Sequence, residues 1–181
     1  MNLEEKTLET QKIFKGKIID IDLDKIELPN GKLATREVVN HPGGVCIAAL
    51  TDENELLFVR QYRYPYHKVI LELPAGKLEK GSNPLENGKR ELKEETGAIG
   101  KDYISLGELY PSPGYCAEII HLYFCKVESF GDVDPDDDEF LDIIKINVND
   151  AVNMVLENKI CDAKTQVAVL KVAKYLELHK I

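Results

Sequence analysis

The chain has 181 residues, 44% of them hydrophobic and 30% charged, with a net charge of −9, which suits one folded domain, or one domain with a small extension. That acidity disfavours a nucleic-acid partner, and no apolar run approaches the length of a membrane span. The first ten residues, MNLEEKTLET, hold no apolar leader segment, so the expectation is a cytoplasmic protein with neither nucleic acid nor membrane as partner.

From Lys12 to Val39 the pattern is β-like, with Asn30-Gly31 between GKIIDIDLDKIEL and KLATREVV. An Asn-Gly between alternating runs signals a hairpin. Residues 1–40 are therefore expected to form a β-extension, with exposed edges suited to dimerisation, ahead of a main domain at 41–181. Within that domain the apolar runs predict strands at 44–50, 56–61, 69–73, 104–110, 119–127 and 140–148. A helix is expected from 84 to 96: Asn83 is a good N-cap, Pro84 fits the first position, Glu86 stands three residues after the cap, and Gly97 ends it. Two helices follow the last strand. NDAVNMVLEN would be capped by Asn149 or Asp150, and DAKTQVAVLKVAKYLEL places Ala163, Val167, Leu170, Ala173 and Leu176 at helical spacing. Unequal groups of strands with one central and two terminal helices predict a mixed α/β domain, not a doubly wound parallel one.

Cys46, Cys116, Cys125 and Cys161 are scattered with no C-x-x-C pair, and His41, His67, His121 and His179 are isolated. That spacing argues against zinc and against a disulfide scaffold, and leaves buried reduced thiols as the plain reading. A metal, if present, would be held by oxygen, which favours magnesium or manganese.

The stretch RELKEETG concentrates carboxylates. Glu91, Glu94 and Glu95 fall within an arc of about 100° on the helix, beside Leu85 and Leu92, which point toward a core. Each like-charge pair costs a few tenths of a kcal/mol, and carboxylates near the C-terminal end oppose the helix dipole. A solvated face paired with Lys89 and Lys93 would explain an isolated Glu-Glu. The glycine turn, capped helix, Arg-Glu step and stop glycine in fixed register favour bound divalent cations instead.

Gly76 together with Arg90-Glu91-Leu92-x-Glu94-Glu95-x-Gly97-Ala98 resembles the Nudix box, G-x5-E-x7-R-E-U-x-E-E-x-G-U. Ser82 stands where that pattern has its first glutamate. The resemblance implies an α/β/α sandwich with a mixed sheet, here carrying an N-terminal β-extension, and hydrolysis of a diphosphate linked to another moiety. By position in the box, Glu91, Glu95 and the Ala75 carbonyl would ligate Mg²⁺, with Mn²⁺ possible. Glu94 would be a further ligand or base, and Arg90 would orient the glutamates.

Four more stretches are similar to the ADP-ribose pyrophosphatase branch: REVVNHPGGV with Arg36 and Glu37, VRQYRYPYHKVILELPAG with Arg60 and Arg63, PSPGYCAEIIHLYF with Ser112, Pro113, Gly114 and Glu118, and the acidic DPDDDEF. They imply a nucleoside diphosphate sugar as substrate, Glu139 as a final metal ligand and Asp137 as candidate base. The family more often has glutamate at the base position, and Glu94 is the rival. They also imply a homodimer whose N-terminal strands contribute Arg36 and Glu37. The arginine fork suits phosphate, with Arg63 the first choice and Arg36 the second, and a surface ion pair the alternative for each. Tyr62, Tyr64 and Tyr115 are candidates to stack on adenine, against burial in the core. Three functions stay open: an ADP-ribose pyrophosphatase giving AMP and ribose 5-phosphate, a Nudix hydrolase of another nucleoside diphosphate derivative, and a catalytically weak nucleotide-sensing module.

Overall fold

The computed structural model describes residues 2–79, 81–134 and 140–180. They separate into two units, one built from residues 1–43 and 110–119, the other from 44–109 and 120–181.

In the first unit, β1 (Lys6–Lys15), β2 (Asp20–Glu27) and β3 (Leu33–Asn40) form an antiparallel sheet in that order. The Asn30-Gly31 turn links β2 to β3. Gly31 takes a φ of +80° and its N–H donates to the Leu28 carbonyl at 2.8 Å, a conformation that disfavours any residue with a side chain. Every residue of β1 is exposed, so no buried face imposes alternation on its sequence, and the strand begins six residues before the pattern becomes legible at Lys12. The segment 110–119 joins this unit through Val39, whose N–H donates to Tyr115 O at 2.8 Å and whose carbonyl accepts from the Ala117 N–H at 2.9 Å.

The second unit is a mixed sheet between helices. Its strands are β4 (Gly44–Leu50), β5 (Glu55–Arg63), β6 (Lys68–Glu72), β7 (Ala75–Lys77), β8 (Ala98–Leu109), β9 (Ile120–Phe130) and β10 (Leu141–Asn147), and its helices are α1 (Pro84–Thr96), α2 (Val148–Leu156) and α3 (Ala163–His179). The main path runs β10-β5-β4-β9-β8, with β6 on β5 and β7 on β4. Only β4 and β9 pair in parallel among these strands.

β4 is buried throughout, which requires cover on both faces. Val45, Ile47 and Ala49 pack with Leu92 of α1. Cys46, Ala48 and Leu50 pack with Val148, Ala151 and Val155 of α2 and with Ala168, Val169 and Val172 of α3. The layers are therefore helix, sheet, helix, as an α/β/α sandwich demands.

Several expectations need correction. β8 starts directly after Gly97, well before 104; register shifts between Ile99 and Gly100 and between Lys101 and Ile104 break the alternation of its first half and hide it from the sequence pattern. Helix α2 is capped by Asn147, not Asn149 or Asp150: the Asn147 side chain accepts from the Asn149 N–H at 3.0 Å, and the earlier start buries Val148. The buried stripe of α3 is Thr165, Ala168, Val169, Val172 and Leu176, while Leu170 is 41% exposed. Apolar residues lie around much of this helix, so spacing alone could not choose the face. Tyr62, Tyr64 and Tyr115 are exposed and not core residues. Among the described residues no helix is long and apolar enough to cross a membrane.

Candidate active site

The site is built on α1 and the turn that precedes it. Asn83 caps the helix by accepting from the Leu85 and Glu86 N–H groups at 2.9 and 3.3 Å. Gly97 ends it with a φ of +70° and an N–H bond to Lys93 O at 2.7 Å. Gly88 lets the helix approach β4: a Cβ there would stand 2.6 Å from Ile47 Cδ1 and 2.8 Å from Val45 Cγ2. Leu92 and Glu95 are both buried, so the carboxylate-bearing end of α1 lies against the sheet.

This approach places two glutamates on the turn around β7. A Cβ on Gly76 would sit 2.0 Å from Glu91 Cδ and 2.2 Å from its Oε1, so the glycine is what admits the Glu91 carboxylate. The Ala75 N–H donates to Glu95 Oε2 at 3.1 Å. Asn87 secures the arrangement by donating from Nδ2 to Lys77 O at 3.0 Å and to Glu91 Oε1 at 3.4 Å. Arg90 pairs with both Glu91 and Glu94. Partial burial works against the Arg90 charge, but the two carboxylates outweigh it and hold the guanidinium above its ordinary pKa.

The structure thus brings together Ala75, Glu91 and Glu95, with Arg90 and Glu94 at the rim. Two carboxylates beside a peptide turn form a hard oxygen donor set, which fits a divalent cation that keeps part of its water shell. Among the described residues, no three His, Cys, Asp or Glu side chains gather into a complete cage. Asp137 and Glu139 lie outside the described residues. Ser82, at the position of the first box glutamate, donates its hydroxyl to Glu79 O at 2.8 Å and so closes a turn.

Arg63 meets Glu72 in a bidentate pair, Nε to Oε1 at 2.6 Å and Nη2 to Oε2 at 2.8 Å. The Glu72 side chain is only 3% exposed. Burial pushes its carboxyl up, yet the Arg63 hydrogen bonds and the Lys164 and Arg63 charges prevail and hold it below the ordinary carboxylate value. Arg60 forms a looser surface pair with Asp142 at 3.5 Å.

The remaining candidates belong to the unit of the N-terminal sheet. Arg36 makes two hydrogen bonds to Glu5, one from Nε at 2.9 Å. Glu37 stands opposite Leu23 in the β2–β3 register. Ser112, Pro113 and Gly114 form a turn in which Ser112 O accepts from the Tyr115 and Cys116 N–H groups at 3.2 and 2.9 Å. A Cβ on Gly114 would meet no atom within 4 Å. Glu118 lies 3.3 Å from His41 Nδ1, the same nitrogen that accepts the Gly43 N–H at 3.1 Å. The chain therefore gathers Arg36, Glu37, Ser112, Pro113, Gly114 and Glu118 into one unit, although residues 44–109 separate them in sequence.

Sequence reasoning missed Asn87, Glu72 and Thr165. Asn87 carried a signal, being a poor helix former inside a helix, four residues before Glu91 on the same face. The other two act through tertiary contacts that leave no local pattern.

A family model described as a NUDIX domain matches residues 40–165. The chain belongs to the Nudix family. A second model, the nucleoside diphosphate sugar hydrolase N-terminal domain, matches residues 5–39 of this Nudix protein. The chain is 41% identical over 181 residues to an ADP-ribose pyrophosphatase of Bacillus subtilis (strain 168), covering 99% of this chain and 96% of the relative. It is 44% identical over 179 residues to the methanol dehydrogenase activator of Bacillus methanolicus, covering 98% and 95%. The solved structure of an ADP compounds hydrolase superposes with a TM-score of 0.87 at 19% identity, covering 99% of this chain and 98% of that one. At that identity the likeness shows the fold alone.

Proposed function

We propose that this Nudix protein hydrolyses the diphosphate of ADP-ribose, or of a closely related nucleoside diphosphate sugar, to AMP and ribose 5-phosphate with Mg²⁺ as cofactor. The observation that carries the reading is the pair Glu91 and Glu95 held on the Ala75–Gly76 peptide, one against the glycine and the other on the Ala75 N–H. The similarity to an ADP-ribose pyrophosphatase over nearly the full length of both chains supports the substrate.

Glu91, Glu95 and the Ala75 carbonyl hold the cation, with Glu139 completing the set and Mn²⁺ able to replace Mg²⁺. When bound, the cation neutralises phosphate charge and makes water a better nucleophile. Arg90, paired with Glu91 and Glu94, keeps the carboxylates oriented. Asp137 takes the proton of the attacking water, and Glu94 is the alternative base. Water adds to one phosphorus, the bridging P–O bond breaks, and the bridging oxygen leaves on the other product. Arg63, Arg36, Glu37, Ser112, Pro113, Gly114 and Glu118 bind the substrate. Residues 1–40 form a dimerisation extension to a hydrolase domain at 41–181, and the protein works as a cytoplasmic homodimer.

The test is Glu95→Gln, which keeps the shape of the side chain and an acceptor for the Ala75 N–H. It lowers kcat by about 100-fold or more while the thermal midpoint stays near that of the parent chain. A fully active variant, or one that unfolds, contradicts the metal-face reading. Ser82 favours a second reading, a nucleotide-sensing module, because its hydroxyl is engaged with Glu79. Tight ADP-ribose binding with no turnover of any nucleoside diphosphate derivative, with Mg²⁺ or with Mn²⁺, would select that reading.

A further inference from the structure

The peptide between β6 and β7 is held from both faces of the sheet. On the side of α1, the Ala75 N–H reaches Glu95. In the plane of the sheet, the Pro74 carbonyl accepts from the Ile47 N–H at 2.9 Å, and Ala75 and Gly76 pair with Cys46 and Val45. On the opposite side stands the first turn of α3. The Thr165 hydroxyl accepts from the Leu73 N–H at 2.9 Å, with both residues at 0% exposure. Lys164, its side chain 11% exposed, pairs with Glu72 and also with Asp162 at 3.0 Å. Asp162 is the N-cap of α3 and accepts from the Thr165 N–H at 2.9 Å, which sets the turn itself.

Three neighbouring residues, Glu72, Leu73 and Ala75, thus each have a polar partner on a helix. Glu72 also carries Arg63 in its bidentate pair. A Thr at the start of α3 does not need burial to be a helix former. Its complete burial, with the hydroxyl on an amide two residues from Ala75, gives it a specific task. Lys164 offsets the Glu72 charge, so that Glu72 stays ionised while it grips Arg63.

We infer that the first turn of α3 is the positioning element of the metal platform: Thr165, through the Leu73 amide, and Lys164, through Glu72, set the 73–76 peptide against Glu91 and Glu95. This rests on the metal-platform reading given above. Thr165 and Lys164 are positioning residues, acting through the Leu73 amide and the Glu72 carboxylate. Partners that orient first ligands in this way tune metal affinity as well as stability.

The experiment compares the full chain with Thr165→Val, which keeps the shape and removes the acceptor, and Thr165→Ser, which keeps the acceptor and removes the methyl. Lys164→Met serves as an independent variant should Thr165→Val fail to fold. Two readouts are taken without substrate: Mn²⁺ binding by electron paramagnetic resonance, and hydrogen exchange of the metal-free protein resolved at residues 73–77. Thr165→Val should weaken Mn²⁺ binding about 10-fold and speed exchange at 73–77, while Thr165→Ser stays within about twofold of the parent in both. Lys164→Met should shift both in the same direction as Thr165→Val. Unchanged exchange in Thr165→Val overturns the hold of α3 on the 73–76 peptide. Faster exchange with unchanged Mn²⁺ affinity, or equal losses in the Val and Ser variants, overturns the positioning role. A parent chain that binds no Mn²⁺ contradicts the metal platform itself and with it the positioning role; the exchange data then decide only whether α3 holds the 73–76 peptide.

Discussion

At the scale of single residues, the site depends on Gly76 having no side chain. A Cβ there would meet the carboxyl of Glu91, 2.0 Å from Cδ. The obstructing atoms are the end of a flexible side chain, so Gly76→Ala is expected to swing Glu91 aside and leave the sheet intact. The expected outcome is a loss of about 10-fold or more in kcat, with Mg²⁺ dependence shifted to higher concentration, and a thermal midpoint close to the parent's. Steady-state kinetics over a Mg²⁺ series, beside a melting curve, would check it. Much of this was legible beforehand. Glu91 and Glu95 stood out because like charges gathered beside an apolar stripe need a reason. An ion pair was the alternative for Arg36 and Arg63 from the sequence, but the partners Glu5 and Glu72 were not legible, since contacts made through sheet pairing leave no local mark. Thr165 was hidden as well: a buried threonine in a helix reads as an ordinary core neighbour until its partner amide is known.

At the scale of elements, α1 is set by its ends and by its closest approach to the sheet. Asn83→Ala removes the acceptor for two helix N–H groups and should cost about 1 kcal/mol in urea unfolding. Gly88→Ala sets two effects against each other. Alanine improves helix propensity by about 1 kcal/mol, but its Cβ would press into Ile47 and Val45, and overpacking a tight core costs about 1–3 kcal/mol. The packing term prevails because both neighbours are themselves buried on β4, so a lower thermal midpoint is expected. The frame of α1 could be read from Asn83, Pro84 and Gly97 because caps are local. The buried face of α3 could not, since a helix apolar on several sides is oriented by what it packs on. β1 was legible only in part because it buries nothing. β8 hid its first half behind bulges, where alternation fails.

At the scale of the whole molecule, one part of the acid response follows from Glu72. Its folded pKa lies below the ordinary 4.5, so its contribution is complete above that value and is lost as the pH falls below it toward the lowered folded value. Urea unfolding of the parent and of Glu72→Gln should therefore show a gap at pH 7 that narrows steadily below about pH 4.5. A gap that is constant or widens in acid would contradict an ionised, paired Glu72. The layered order of helix, sheet and helix is what allows α1 and α3 to reach the same peptide from opposite faces, and that convergence is a property of topology which no single motif records.

The glutamate face of α1 is expected to support cation-dependent cleavage of a nucleoside diphosphate sugar. The most direct measurement is to incubate the protein with ADP-ribose and Mg²⁺ and to quantify the products, with and without a chelator. AMP and ribose 5-phosphate are expected in equal amounts, and neither when the chelator removes the cation. Absence of both products at every Mg²⁺ or Mn²⁺ concentration, or equal turnover with the chelator present, would contradict it.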